Sequence, residues 1–158
     1  MAIRYSIDPG VGGTGVARWN GLNLIKAFTL HSKEESWLYS AEAIALQLRE
    51  EFEFNRPSGI DRFFVESPVY FGGKNRVVAE SGDLCKLAML AGMILHECMR
   101  FSRMVELVTP GEWKGNLPKS VCAARIRRTM GREFPNYRLS NHAVDAIGIG
   151  LWSLGRFK

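Results

Sequence analysis

Apolar and polar positions alternate through Ile3-Arg4-Tyr5-Ser6-Ile7-Asp8, and strand-like patterns recur across residues 14–19 and 22–30. A period of two, rich in β-branched and aromatic residues, predicts three strands. Asn20-Gly21 between the second and third is a strong short signal for a hairpin. The period then lengthens. Leu38, Ala41, Ile44, Ala45 and Leu48 predict a helix starting from a Ser32 or Ser36 cap and running to about Phe54, where Arg56-Pro57-Ser58-Gly59 breaks it. Residues 62–66, "RFFVE", predict a fourth strand stopped by Pro68. A long helix over about 77–101, a fifth strand over 103–108 stopped by Pro110, a basic helix from about Pro118 and a last helix over about 140–154 complete the reading. The predicted order is β-β-β-α-β-α-β-α-α. It implies an α/β fold: a five-stranded mixed sheet, an antiparallel hairpin of three strands followed by two more, flanked by helices.

The predicted long helix carries Leu84, Leu87, Ala88, Met89, Leu90, Ala91, Met93, Ile94 and Leu95, apolar around nearly its whole circumference. Such a helix must be covered on more than one side. One side is expected to face the sheet, and the other a second subunit or this chain's own helices.

At 158 residues, 46% apolar and 23% charged, the chain is expected to form one soluble domain over 1–158. No signal peptide is visible, and the longest apolar run, residues 87–95, is too short for a bilayer, which needs about 20 residues. Cys85, Cys98 and Cys122 form no C-x-x-C pair and are expected to be reduced thiols of a cytoplasmic protein with no membrane partner. Net charge is +5, but unevenly spread: residues 100–138 hold nine basic side chains against three acids. That concentration favours a polyanionic partner, nucleic acid first.

Gly10, Gly12 and Gly15 fit G-x-G-x-x-G. A dinucleotide site needs that loop between a strand and a helix, whereas here it runs into a hairpin. No G-K-[ST] follows, so it is not a P-loop, and an actin-like ATPase needs a second domain that the chain is too short to supply. The glycines are expected to turn the chain after the first strand and keep the surroundings of Asp8 open to a bulky ligand. Glu66 ends the fourth strand as Asp8 ends the first. In "LSNHAVDAIGIGLW", His142 and Asp145 are three apart on one helix face, behind a cap at Ser140 or Asn141. Three carboxylates and one imidazole form an oxygen-rich donor set for two divalent ions, Mg²⁺ or Mn²⁺ rather than zinc. A pair of ions about 4 Å apart would activate water and stabilise the leaving oxygen of a phosphodiester.

The succession "IDPGVGGTGVARW", "FFVESPVYF", "LPKSV" and "NHAVDAIGIGLW" resembles the RuvC family of Holliday-junction resolvases, within the RNase H-like superfamily. The resemblance spans nearly the whole chain; its small size and divergent middle resemble a phage-encoded or otherwise distant member. It implies a homodimeric endonuclease that nicks four-way DNA junctions symmetrically, leaving 5′-phosphate and 3′-hydroxyl ends. Asp8 would bridge two Mg²⁺ ions, with Mn²⁺ also supporting activity, and Glu66 and Asp145 would complete their shells. His142 stands where many members carry an acid and some a histidine. Lys119 matches a family lysine near the scissile phosphate, and Lys114 resembles a second backbone contact. The stretch "SPVYFGGKNRVV" is where members place an aromatic residue that stacks at the crossover. Tyr70 or Phe71 would stack, Lys74 and Arg76 would meet phosphates, and Arg125 and Arg128 are further expected DNA contacts. Other readings remain: a nuclease for forks, flaps or RNA, or an idle nucleic-acid-binding module. Neither the sequence nor the resemblance identifies a helicase partner.

Overall fold

Ile3, Tyr5 and Ile7 project to one side of the first strand, and Arg4, Ser6 and Asp8 to the other, so this strand must be covered on both faces. In the computed structural model, which describes residues 3–56, 59–68 and 82–157, it is the central strand β1, Ile3–Asp8. β2 (Thr14–Asn20) and β3 (Asn23–Leu30) continue it antiparallel on one side. β4 (Ile60–Glu66) and β5 (Val105–Val108) run parallel to it on the other, giving the order β3-β2-β1-β4-β5. The mixed five-stranded sheet is therefore the one predicted.

The hairpin turns one residue later than the Asn-Gly signal suggests. Asn20 pairs with Asn23, so Gly21 and Leu22 are the central residues, with Gly21 at φ 59°. A glycine with positive φ at the first central position is the pattern of a type II′ turn.

One face of the sheet is covered by α1 (Trp37–Asn55) and α2 (Asp83–Phe101). Ala41, Ile44, Ala45, Leu48 and Phe52 recur at helical spacing along α1 and are buried. Phe52 stands at the centre of this core, with ring centroids of Tyr5 at 4.9 Å and Phe63 at 4.8 Å. Burying each such side chain contributes about 1.5–3 kcal/mol. α1 begins after Ser36 rather than Ser32, and Ser36 makes no side-chain cap. α2 begins at Asp83; the predicted helical residues 77–81 lie outside the described residues. α2 buries Leu90, Ala91, Ile94 and Cys98, while Met89 and Met99 are exposed on other sides. Its buried Glu97 receives two hydrogen bonds from Arg49 of α1, at 2.8 and 2.6 Å, which lower its carboxyl pKa.

The other face carries a short helix α3 (Pro110–Trp113), the basic helix α4 (Lys119–Met130), a 3₁₀ turn (Gly131–Glu133) and the last helix α5 (Asn141–Ser153). α5 lies across β1 and β2 on small residues. A Cβ at Gly150 would sit 2.3 Å from Trp19 Nε1, and one at Gly148 2.5 Å from Trp113 Cζ3. Ser6 Oγ donates to the Ala146 carbonyl at 2.7 Å and accepts from Trp19 Nε1 at 3.0 Å, locking helix to sheet.

α3 was not predicted, because four residues are too short to show a period. Its signal is Thr109-x-x-Glu112 with Pro110 at the first position: Thr109 Oγ1 accepts from Glu112 N, and Glu112 Oε2 accepts from Thr109 N. β5 also starts two residues later than expected. The three cysteines are free, Cys98 and Cys122 buried and Cys85 exposed. Among the described residues no helix is long and apolar enough to cross a membrane.

Candidate active site

β1 and β4 are adjacent and parallel, with Ile7 opposite Val65, so Asp8 and Glu66 occupy the next position on neighbouring strands. Both follow a residue buried against α1 and α2, and alternation aims both at the α5 face. The sheet thus ends in two carboxylates side by side.

α5 brings the other two. Ser140 is its cap, with Oγ accepting from Ala143 N at 3.1 Å, and its own position is held by a hydroxyl contact with Thr29. The helix start can approach the sheet only because Gly15 has no side chain: a Cβ there would lie 2.0 Å from the His142 carbonyl oxygen. A Cβ at Gly10 would lie 2.5 Å from His142 Cε1, and one at Gly13 would lie 2.7 Å from His31 Cε1. The expectation that the glycines keep space open for a ligand is corrected at Gly10 and Gly15, where the space is filled by the His142 imidazole and by the start of α5. A Cβ at Gly12 would meet nothing within 4 Å. The turning role is seen in the Gly13 N–H donated to the Gly10 carbonyl at 3.0 Å.

The four predicted residues meet as two linked groups. His142 Nδ1 lies 2.7 Å from Asp8 Oδ2, and Asp8 is 5% exposed. This bond outweighs burial and raises the His142 pKa. On the other side, Lys114 Nζ stands 3.7 Å from Glu66 Oε2 and 3.6 Å from Asp145 Oδ2. Trp113 Nε1 donates to the same Glu66 oxygen at 2.6 Å. Burial first, then the charge of Asp8, pushes the Glu66 carboxyl up to about 7, against the pull of Lys114 and Trp113. Asp145 is raised by burial and by Asp8. Burial alone would lower Lys114, but Glu66, Asp145 and Asp8 hold it above its ordinary value.

Lys119, the exposed first residue of α4, carries a charge that opposes the upward shifts of His142 and Asp145. Arg125 lies over the Phe157 ring at 5.8 Å, and Arg128 is exposed on the same helix. Tyr70, Phe71, Lys74 and Arg76 lie outside the described residues. Two contacts escaped sequence reasoning: the Trp113 bond to Glu66, and the Lys114 bridge. Cys122 also sits near this site, its thiol pushed up to about 11 by burial and Asp145, and so protonated.

Carboxylate oxygens with one imidazole are the donor chemistry of a hard divalent cation, and their mutual repulsion favours one. Among the described residues no three His, Cys, Asp or Glu side chains are arranged to hold a metal ion together. His142 is turned to Asp8, and an ammonium stands between the other two. The donors fit the ion in kind.

No protein-family model and no curated protein matches the chain. Solved structures do. Thermus thermophilus RuvC in complex with a Holliday junction substrate superposes with a TM-score of 0.70 at 18% identity, covering 100% of this chain and 99% of that one. A second structure of Thermus thermophilus RuvC gives 0.65 at 16%, covering 99% and 98%. The fowlpox virus Holliday junction resolvase gives 0.54 at 15%, covering 97% of each. At such identities the likeness is one of fold: this chain has the RNase H-like fold of the RuvC-type junction resolvases.

Proposed function

We propose that the chain is a metal-dependent endonuclease that resolves four-way DNA junctions, its 158 residues forming one RNase H-like nuclease domain. The observation that carries this reading is the pairing of Asp8 and Glu66 at the ends of adjacent parallel strands, under His142 and Asp145 of α5. The likeness to RuvC bound to a Holliday junction supports the choice of substrate.

Asp8, Glu66, Asp145 and His142 would hold the divalent ions. When bound, these supply a lowered water pKa and compensate charge on the phosphodiester. Each side chain has a task set by its surroundings. The Trp113 N–H keeps one oxygen of Glu66, Oε2, engaged. His142 fixes the rotamer of the buried Asp8 carboxylate. Lys119, at the rim, offers its ammonium to the phosphate to be cut. Arg125 and Arg128 on α4 carry the flanking backbone, so affinity falls steeply as salt rises. Tyr70 or Phe71 would stack at the crossover, worth about 1–3 kcal/mol, with Lys74 and Arg76 on nearby phosphates.

Symmetric nicking needs two such sites. The groove between α1 and α2, lined by Ala45, Leu46, Met89, Gly92 and Met93, is the face proposed to meet a second copy. The test is incubation with Mg²⁺ or Mn²⁺ and labelled four-way junction, fork, linear duplex and RNA·DNA hybrid. Paired, symmetric, metal-dependent nicks in the four-way junction are expected. Equal cutting of fork or hybrid would move the substrate class, and no cutting of any would leave a binding module.

A further inference from the structure

We propose that Lys114 is a resident counter-ion of this site: its ammonium and a divalent cation compete for Glu66 and Asp145, and the lysine gives them up when the cation enters. The inference rests on the metal-dependent reading above and adds a residue to it.

Lys114 Nζ is held between two carboxylates from different elements, Glu66 of β4 and Asp145 of α5, at 3.7 and 3.6 Å. Its side chain is 24% exposed, against 16% and 13% for its partners, so water screens these pairs less than surface ones. Both distances exceed those of N–H···O hydrogen bonds, so the attraction is mainly Coulombic and shared. One positive charge is shared between two carboxylates, Glu66 and Asp145, while the nearby Asp8 is paired with His142. A doubly charged, oxygen-seeking ion can replace that ammonium.

The backbone delivers this ammonium to its place. Lys114 N bonds to the Pro110 carbonyl at 3.0 Å, closing the one-turn helix that Thr109 and Glu112 cap, and Gly115 at φ 57° ends it. Trp113 is clamped by Glu66 on one edge and by α5 at Gly148 on another. Lys114 Nζ lies 4.5 Å from the centroid of the Trp113 ring. The aromatic face gives the ammonium a second partner that it keeps on leaving the carboxylates. The same one-turn helix thus holds Glu66 through a neutral donor and shields it with a movable charge.

The test is titration of wild-type protein and Lys114→Met with Mn²⁺ alone, without DNA, reading free Mn²⁺ by electron paramagnetic resonance. Melting in chelator and in Mn²⁺ is measured in parallel. The variant is expected to bind Mn²⁺ about tenfold more tightly. It should melt lower than wild type in chelator and gain more from Mn²⁺. Lys114→Arg, which keeps the charge, is expected to bind like wild type, and Lys114→Gln repeats the titration should the Met variant not fold. Unchanged or weaker Mn²⁺ binding by Lys114→Met, with normal binding by wild type, would overturn the competition and leave the metal-dependent reading standing. Absence of Mn²⁺ binding by both proteins would remove that reading and this inference with it.

Discussion

The Nδ1 atom of His142 lies 2.7 Å from Oδ2 of Asp8, joining residues 134 apart in the chain. That bond is the largest influence raising the His142 pKa. Asp8→Asn removes the charge and keeps the shape. It is expected to bring His142 down toward its ordinary 6.5, read by NMR titration of the imidazole. Nicking should fall to background while junction binding survives. Normal nicking by this variant would take Asp8 out of the chemistry.

Gly15→Ala tests how α5 is seated. The added Cβ would lie 2.0 Å from the His142 carbonyl oxygen, and backbone on both sides leaves little room to yield. Overpacking here should cost about 3 kcal/mol in urea denaturation. Gly12→Ala is the control, since a Cβ there meets nothing within 4 Å. Equal stability of the two variants would mean that α5 shifts freely on the sheet.

Trp113→Phe deletes the N–H that Glu66 accepts and keeps an aromatic ring. Loss of a hydrogen bond to a carboxylate should cost about 2 kcal/mol. Part of any measured loss comes from the smaller ring against Gly148, so the specific readout is pH. The bond favours the ionised carboxylate, and without it the Glu66 pKa rises further above its ordinary value. The pH midpoint of Mn²⁺ binding should therefore move upward in the variant. An unmoved midpoint would reduce Trp113 to a packing residue.

The metal-free protein should be more stable near pH 5 than near pH 8. Glu66 is raised from 4.5 to about 7, so the folded state holds a proton that the unfolded state releases, and stability falls as pH rises between those values. Asp145 and His142 are also raised and act in the same direction, the histidine from about 6.5 upward. Glu97 and Glu112 are lowered, so their contribution is lost only as pH falls below their ordinary 4.5. Melting in chelator across this range checks the slope, and Glu66→Gln should flatten it. Added Mg²⁺ should restore most stability at the alkaline end, because it binds the ionised carboxylates.

The sheet and its main helices were legible because their signals are local. Ile3, Tyr5 and Ile7 declare a strand by alternation alone, and Ala41, Ile44, Ala45 and Leu48 declare a helix. Asp8, Glu66, His142 and Asp145 could be chosen as candidates because each ends a strand or opens a helix. The one-turn helix at Pro110 was missed: four residues show no period, and its capping residues, Thr109 and Glu112, are its sole local signal.

The amino-acid order by itself determined the strands, the helices and which acids stand at their ends, since backbone periodicity and capping act over a few neighbours. Folding alone decided how those acids are used. Gly15 looks like part of a turn, yet what it admits is the start of α5, contributed by residues far along the chain. Lys114 was expected as a DNA-backbone contact and Trp113 was not singled out, yet Trp113 and Lys114 close on Glu66 from 47 and 48 positions away. Contacts of that kind depend on how layers pack, and packing has no period for a linear pattern to display.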